Sequence, residues 1–316
     1  MEFLLLLSMI TIILFLLLRK GKKNGGIHVP PGPPQLPLIG NIHQLNKSIL
    51  FRHLWELPKT YGALMSMQLG SLPVLVVSSA KMAKEILKTH DAAFAGRPPM
   101  VSFRKLDIFT AGTHTNAISL IWAMTRLVKH PEAMKRIQEE VRNIAGDEGV
   151  IHETDLQNLP YLKAVVKETL RLHPPVPLLL PHETIEPCTI AGYKVHPKTV
   201  VYVNAWAIGR DPKSWEDPKK FLPERFLDNF IDFKGQDFEL IPFGAGRRSC
   251  PGIHLGVVTV ELPLAHLICC FNWELYAASG IKNNEDIDTD VKPGISMQKK
   301  ILLRLFARKY VPWSYA

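Results

Sequence analysis

Residues 242–252 read Pro-Phe-Gly-Ala-Gly-Arg-Arg-Ser-Cys-Pro-Gly and place one cysteine, Cys250, at the exit of a loop rich in glycine and arginine. Glycine adopts positive φ without steric cost, so this loop can turn back sharply and direct its backbone N–H groups inward. The long apolar run after Pro251 predicts a helix with proline near its first position and Cys250 at its cap. The helix dipole and the two arginines favour the thiolate, which is the form of cysteine that binds metals.

A lone cysteine is usually a small buried apolar residue, but this one lies within a specific pattern. Five residues of the loop match the haem-binding signature of one family: Phe243, Gly246, Arg248, Cys250 and Gly252. The loop therefore resembles that of the cytochrome P-450 (haem-thiolate monooxygenase) family. The resemblance implies that Cys250 is the proximal ligand of the iron of haem b, that Arg248 contacts a haem propionate and that Phe243 packs beside the sulfur. A thiolate ligand pushes electron density through the iron and favours O–O cleavage.

The composition indicates a globular protein without a nucleic-acid partner. The chain has 316 residues, of which 47% are hydrophobic, so it can bury a large core. The formal net charge is +9. The first 23 residues contribute +3 of it, because they contain four basic residues, at positions 19, 20, 22 and 23, and one acidic residue, Glu2. The remaining +6 is a mild excess, and no nucleic-acid motif accompanies it. Four cysteines, at 188, 250, 269 and 270, show no metal-finger or disulfide spacing, which suits a reducing compartment.

The N-terminal segment predicts a membrane anchor over residues 1–23. Phe3 to Leu18 are almost wholly apolar and a basic cluster follows them at once. As a helix this run is about 24 Å long, slightly short of the roughly 27 Å core of the endoplasmic reticulum membrane. A cleavable signal peptide is the alternative, but the positive charge follows the apolar run and no small-residue cleavage site is evident. We expect a single pass with the basic cluster and the catalytic domain in the cytoplasm.

Residues 24–41 predict a stiff connector, because Val29 to Asn41 contain prolines at a density that forbids helix. A plain linker and a proline-rich ligand are the alternatives. Directly after a basic anchor, this segment resembles the hinge that orients microsomal members of the family on the membrane. Residues 42–316 are then expected to form the haem-binding catalytic domain.

Periodicity and resemblance together predict a mainly α fold with small β-sheets, similar to the cytochrome P-450 fold. The predicted strands are Ala63–Leu69, Val74–Ser78, Thr189–Val195 and Thr199–Trp206. A helix is predicted over Ala80–His90. Residues 292–294 and Ile301–Leu305 are predicted to form a terminal strand pair.

The chain is expected to be truncated internally near residues 99–106. Only Pro99 to Leu106 separate the first sheet section from the next long helix, where family members have a large, mostly helical segment. That segment normally carries a Trp-x-x-x-Arg helix that contacts a haem propionate, and the lid helices of the substrate pocket. Trp122 and Arg126 have this spacing, but they lie on the following helix, so the role is not transferred to them.

The long helix predicted from Asp107 to Val128 contains the run Ala-Gly-Thr-His-Thr-Asn at positions 111–116. By itself this is typical of an apolar core helix with a few buried hydroxyl groups. Beside Cys250 it resembles the distal helix over the haem, with Thr115 at the catalytic threonine position and His114 where the family has Asp or Glu. Protonated histidine can still donate a proton, but it reverses the charge. We expect His114 to lower turnover, with oxygen reduced wastefully.

A later helix, predicted from Leu162 to Leu172, carries Glu168 and Arg171 one turn apart on one face. Glu-x-x-Arg is a weak motif alone, and the same spacing at Glu139 and Arg142 predicts only a solvated surface pair. The resemblance implies that Glu168 and Arg171 join Arg225, in the later run Pro-Glu-Arg-Phe, in a buried structural network beneath the haem.

Two functions remain open. The resemblance implies a plant-type microsomal monooxygenase that receives electrons from an NADPH-cytochrome P-450 reductase and inserts one atom of O2 into a small lipophilic substrate, as in specialised metabolism. Four basic side chains could guide the association with an acidic surface of the reductase, or they are ordinary solvated charges. These are Lys219, Lys220, Arg247 and Arg248. The alternative is a catalytically inactive, membrane-anchored fragment from a truncated gene model or splice form, since the loss of a helical layer would remove propionate contacts and the pocket lid.

Overall fold

The computed structural model describes residues 8–12, 29–45, 49–99, 108–146, 149–276 and 283–311. Apart from a helical stretch at 8–12, the predicted anchor lies outside the described residues, as does the start of the hinge. Among the described residues one helix, Ile253–Cys270, is long and apolar enough to cross a membrane, by length and composition only. It is the helix that follows the cysteine loop, and its buried residues belong to the main core.

The described α-helices are α1 (Leu50–Glu56), α2 (Pro58–Tyr61), α3 (Ala80–Lys84), α4 (Ile108–Lys129), α5 (Pro131–Ala145), α6 (Pro160–Leu172), α7 (Ala205–Ile208) and α8 (Ile253–Cys270). Proline at the first turn starts α2, α5 and α6, where its missing N–H leaves no hydrogen bond unmade. Helix α3 continues into one π-helical turn, Glu85–Thr89, so the predicted helix Ala80–His90 changes its hydrogen-bond pattern halfway.

The described strands are β1 (Leu64–Leu69), β2 (Leu72–Val77), β3 (His182–Glu183), β4 (Cys188–Ile190), β5 (Tyr193–Val195), β6 (Val200–Val203), β7 (Phe271–Leu275) and β8 (Leu305–Lys309). One sheet has the order β1-β2-β6-β3, with β2 and β6 parallel and the other neighbours antiparallel. The pairs β4-β5 and β7-β8 form two-stranded sheets. The expectation of mainly helical structure with small sheets is confirmed.

The main core lies between four helices, α4, α5, α6 and α8. A second cluster lies between the four-stranded sheet, helix α3 and the residues before the cysteine loop. Helix α8 therefore starts at the loop and continues into the centre of the protein. This arrangement ties the position of Cys250 to the packing of the helical core.

The described part of the hinge is fixed to strand β1 and is not a free linker. Ser66 donates its backbone N–H to Pro31 O at 2.9 Å and its hydroxyl to Pro30 O at 2.6 Å. The buried Asn41 accepts from Gln68 N at 2.8 Å and donates to the carbonyl of Pro33 at 3.1 Å. The proline-rich segment thus has a defined path over the sheet.

Four expectations were wrong in detail. The predicted single strand Thr189–Val195 is a hairpin, since a turn at residues 191–192 separates β4 from β5. Helix α8 begins at Ile253 with Gly252 at its N-cap, so Cys250 precedes the cap by two residues. The predicted strand pair at the C-terminal end is also misplaced, because β8 starts only at Leu305 and pairs with β7, while residues 292–294 are outside the strands. Finally, the predicted strand Thr199–Trp206 ends at Val203, since Asn204 caps a short helix there.

Candidate functional site

Backbone hydrogen bonds close the loop that ends at Cys250. The N–H of Cys250 donates to Phe243 O at 2.9 Å, and the N–H of Gly244 donates to Ile241 O at 3.1 Å. Gly244 and Gly246 have φ values of +72° and +69°, as the sequence predicts for a loop that turns back on itself. The result is a compact turn with Cys250 exposed at its end.

The loop packs directly against the π-helical turn after α3. A Cβ atom added to Gly246 would lie 1.9 Å from Leu87 O, well inside the contact distance of any side chain. Only glycine combines this close approach with positive φ. Gly246 therefore fixes the distance between the cysteine loop and residues 85–89.

Two arginines of the loop are held by residues 91–97. The Nε of Arg247 lies 3.2 Å from Asp91 Oδ2, and the Nε of Arg248 donates to Ala95 O at 2.8 Å. Arg97 lies beside them, with Nη1 donating to Leu180 O at 2.8 Å and to the carbonyl of Pro181. Its Nη2 reaches Arg248 O at 3.5 Å. These contacts fasten the loop to residues 91–97.

Arg97 and Arg248 form a cationic pair. Burial, and then the charge of Arg248, lower the pKa of Arg97 from its ordinary value. Across the described ranges, neither arginine forms a salt bridge with a carboxylate. Two neighbouring guanidinium groups without a counter-ion suit an anionic ligand that carries carboxylates. Sequence reasoning identified Arg248 but missed Arg97, because a single arginine in a loop gives no spacing signal.

Helices α4 and α8 meet next to the loop. A Cβ atom added to Gly256 would lie 3.6 Å from Asn116 Oδ1 of α4 and 3.8 Å from a ring carbon of Phe243. A small open pocket lies here between α4, α6 and α8, with Thr115 and Asn116 on its polar side. The Thr115 hydroxyl donates to Ala111 O at 2.7 Å, so it is satisfied within its own helix.

His114 and Thr115, the two predicted catalytic residues, have different partners. The exposed His114 places Nε2 3.2 Å from Ser296 Oγ, in the loop before β8. Thr115 lines the space next to Phe243. Adjacent residues of an α-helix point about 100° apart, so α4 directs the two side chains to different neighbours.

The structure brings Glu168, Arg171 and Arg225 together. Glu168 Oε2 accepts from Arg171 Nε at 2.6 Å and Oε1 accepts from Arg171 Nη2 at 2.7 Å. Arg225 Nε lies 3.3 Å from Glu168 Oε1. The side chains of Glu168 and Arg171 are 0% exposed. Arg171 also donates to Pro218 O, so the network holds residues 209–225, which lead towards the cysteine loop.

Trp122 and Arg126 stabilise the interior of the protein, and no haem role is assigned to them. Trp122 stacks on His173 with ring centroids 3.9 Å apart, and Arg126 Nε donates to His173 Nε2 at 2.7 Å. Burial lowers the pKa of Arg126 to about 10. Burial and the neighbouring arginines also hold the pKa of His173 well below its ordinary range.

The expected surface pair of Glu139 and Arg142 is wrong. Arg142 turns towards the end of α8, where Nη2 donates to Phe271 O at 3.1 Å and to Asn272 Oδ1 at 2.8 Å. Its guanidinium also stacks 3.7 Å from the centroid of Tyr310. Arg142 is half-buried here, and the last carbonyl groups of a helix lack intrahelical partners and accept hydrogen bonds from such a cation.

The comparisons with known proteins agree with this geometry. The family model described as "Cytochrome P450" matches residues 30–107 and 105–301. The chain belongs to the cytochrome P450 family, whose members are haem-dependent monooxygenases.

Three similar proteins show how far the likeness extends. "Cytochrome P450 71A1" of Persea americana is 52% identical over 206 residues, which cover 65% of this chain and 40% of that protein. "6,7,8-trihydroxycoumarin synthase" of Pastinaca sativa is 32% identical over 488 aligned residues, covering 94% of this chain and 96% of that protein. A solved zebrafish cytochrome P450, described with abiraterone, is 19% identical with a TM-score of 0.71 and covers 81% of this chain and 98% of that chain, which shows the fold.

Two of these observations concern the predicted truncation. The alignment with the Pastinaca protein is longer than the 316 residues of this chain, so it opens long gaps in it. The two segments matched by the family model meet at residues 105–107, next to Pro99–Leu106. The long gaps fit a chain that lacks an internal segment, and the boundary between the two matched segments lies next to the predicted position.

The described residues fit a haem in three respects. Cys250 is exposed, Arg97 and Arg248 lie uncompensated beside its loop, and α4 presents Thr115 opposite Phe243. A thiolate, cations for two propionates and a distal helix with a hydroxyl group are the donor set that such a group requires. The side of the protein on which these groups lie is open to solvent, since Leu255 on the first turn of α8 is 74% exposed.

Proposed function

We propose that this chain binds haem b through the Cys250 thiolate and inserts one atom of O2 into a small lipophilic substrate. The observation that carries the proposal is the exposed Cys250 on a loop held by Gly246, Arg247 and Arg248. A bound haem supplies the activation of oxygen. The residues of the chain supply the ligand, the orientation of the ring and the movement of protons.

Each predicted site residue has a part in this proposal. Phe243 packs within the loop, where its ring centroid lies 5.5 Å from that of Phe233. Gly252 is the N-cap residue of α8, two residues after Cys250. Arg97 and Arg248 bind the propionates and so set the rotation of the ring in its plane. Thr115 and His114 hold the protons that oxygen reduction consumes.

Electrons are proposed to come from NADPH through an NADPH-cytochrome P-450 reductase. Two of the suggested steering residues already have acidic partners, because Lys220 Nζ lies 2.8 Å from Asp217 and Arg247 pairs with Asp91. Lys219 lies over the Trp55 ring at 5.8 Å. If exposed cations guide association, the affinity for the reductase falls as salt rises, and a salt-independent affinity contradicts the steering role.

Residues 1–23 are proposed as a single anchor in the endoplasmic reticulum membrane, with residues 24–41 as the hinge and residues 42–316 as the cytoplasmic catalytic domain. The described part of the hinge, Pro30 to Asn41, has a fixed path over β1, which supports its role as a connector. Protease protection of the N-terminus in microsomes tests the topology.

The competing function is an inactive fragment, and one observation favours it. Gly112 and His114 on α4 are exposed, where a missing helical layer would cover them. Sequencing transcripts across Ser102 to Leu106 tests the truncation itself. Reads without additional coding sequence support a genuine internal deletion.

Haem content per chain tests the proposal. The full chain, purified in detergent and titrated with haem, is expected to bind about one equivalent, and Cys250→Ser is expected to lose the thiolate spectrum. Cys188→Ser is the matched control, because Cys188 is a free cysteine in β4 and is not part of the loop. Equal spectra for both variants contradict ligation by Cys250. Incorporation of isotopic oxygen from O2 into a lipophilic product then tests the monooxygenase activity.

A further inference from the structure

A loop near the C-terminal end is fastened to α4. We call residues Val291–Lys300 the C-terminal loop. Its Met297 is 1% exposed, accepts from Trp122 Nε1 at 2.7 Å and donates its N–H to Pro175 O at 2.8 Å. A bridge between Val291 and Lys299 closes the base of the loop. Ser296, directly before Met297, is therefore held in a fixed position beside α4.

One face of α4 contacts this loop. His114, Ile118 and Trp122 follow one another at four-residue spacing, which places them on one side of a helix. Ile118 and Trp122 pack in one buried cluster with Val291 and Met297. His114 continues this row, and its Nε2 lies 3.2 Å from Ser296 Oγ. Within the described ranges, no carboxylate forms a salt bridge with His114.

We propose that Ser296 is the positioning residue for His114, a role that rests on the proposed function. A serine hydroxyl accepts a hydrogen bond from a ring N–H and donates one to a bare ring nitrogen. The contact at Nε2 therefore persists when the imidazole gains or loses a proton at Nδ1. Ser296 keeps the ring of His114 in one place, at the position where the family has an acidic residue.

The contact can be measured on the chain itself, whether or not haem is bound. Diethyl pyrocarbonate modifies unprotonated ring nitrogens, and a tryptic peptide covering residues 106–126 contains His114 as its one histidine. In Ser296→Ala we expect His114 to be modified about fivefold faster, the factor that corresponds to one ordinary hydrogen bond. Ser296→Thr keeps the hydroxyl and is expected to match the wild type.

Gln298→Ala is the control on the same loop, because the Gln298 side chain forms no hydrogen bond to any described residue. It is expected to leave the modification rate unchanged. Equal rates in Ser296→Ala and wild type overturn the proposal. A rate that rises equally in Gln298→Ala also overturns it, because the effect is then a general loosening of the loop.

Product formed per NADPH in the haem-loaded protein separates positioning from mere contact. Ser296→Ala is expected to lower this ratio by the same factor of about five, with Ser296→Thr restoring it. A faster modification with an unchanged ratio means that Ser296 is only a loop contact, and the proposal fails. If no variant binds haem, the proposed function fails, while the modification rates still decide whether Ser296 holds His114.

Discussion

Replacing Glu168 by glutamine tests the buried network that Glu168 forms with Arg171 and Arg225. Both carboxylate oxygens accept bonds from Arg171, and Oε1 also accepts from Leu222 N at 2.9 Å and lies 3.3 Å from Arg225 Nε. Glutamine keeps the shape but removes the charge and turns an amide N–H2 towards a guanidinium. Because Arg171 is 0% exposed, its charge is then left without compensation. The expected loss in free energy of unfolding is about 3 to 5 kcal/mol.

The loss can be followed by urea unfolding of the full chain in detergent with tryptophan fluorescence. Trp215 reports on the site directly, since the Arg171 guanidinium lies 5.1 Å from its ring centroid. With a slope of about 1 to 3 kcal/mol per M of urea, the midpoint should fall by at least about 1 M. Glu139→Gln, at an exposed position of α5, is the control and should change stability by less than about 0.5 kcal/mol. A midpoint for Glu168→Gln that coincides with the control refutes the reasoning.

Three further predictions each concern a single residue. Gly246→Ala places a methyl group against Leu87 O, so haem content should fall sharply while the far-UV circular dichroism stays unchanged; full haem content would contradict the close approach. Burial raises the pKa of Glu261 to about 7, so the folded state binds its proton more tightly than the unfolded state. The free energy of unfolding should therefore fall as pH rises from about 4.5 to about 7. Thermal unfolding of Glu261→Gln should lack this contribution to the pH dependence of stability. Arg142→Ala removes the bonds to the end of α8 and the stacking on Tyr310, and should cost about 2 kcal/mol in urea unfolding; a loss as small as that of an exposed substitution would contradict this.

The cysteine loop and the Glu168 network are the parts of the site that the sequence describes best. Their residues lie close together along the chain or on one helix face, so spacing and residue type define the geometry. Gly244 and Gly246 adopt the positive φ that a tight loop requires. The contact of Arg225 with Glu168 spans 57 positions and was accessible only through the family resemblance.

Other parts depend on contacts that the sequence does not encode locally. Arg142 has the same spacing to Glu139 as Arg171 has to Glu168, but it bonds to carbonyl groups more than 120 positions away. Arg97 lies beside Arg248, which follows it by 151 positions in the sequence. Ser296, the partner of His114, follows that histidine by 182 positions. The terminal strand was misplaced because the apolar run at 301–305 satisfies a strand pattern, whereas pairing with β7 begins at Leu305.

The bond between sulfur and iron is the central claim, and the reduced carbon monoxide difference spectrum of the full chain tests it most directly. We predict a thiolate-type Soret band for the wild type and for Cys188→Ser, and its loss in Cys250→Ser. A wild-type chain that takes up haem but gives no thiolate-type band contradicts the account.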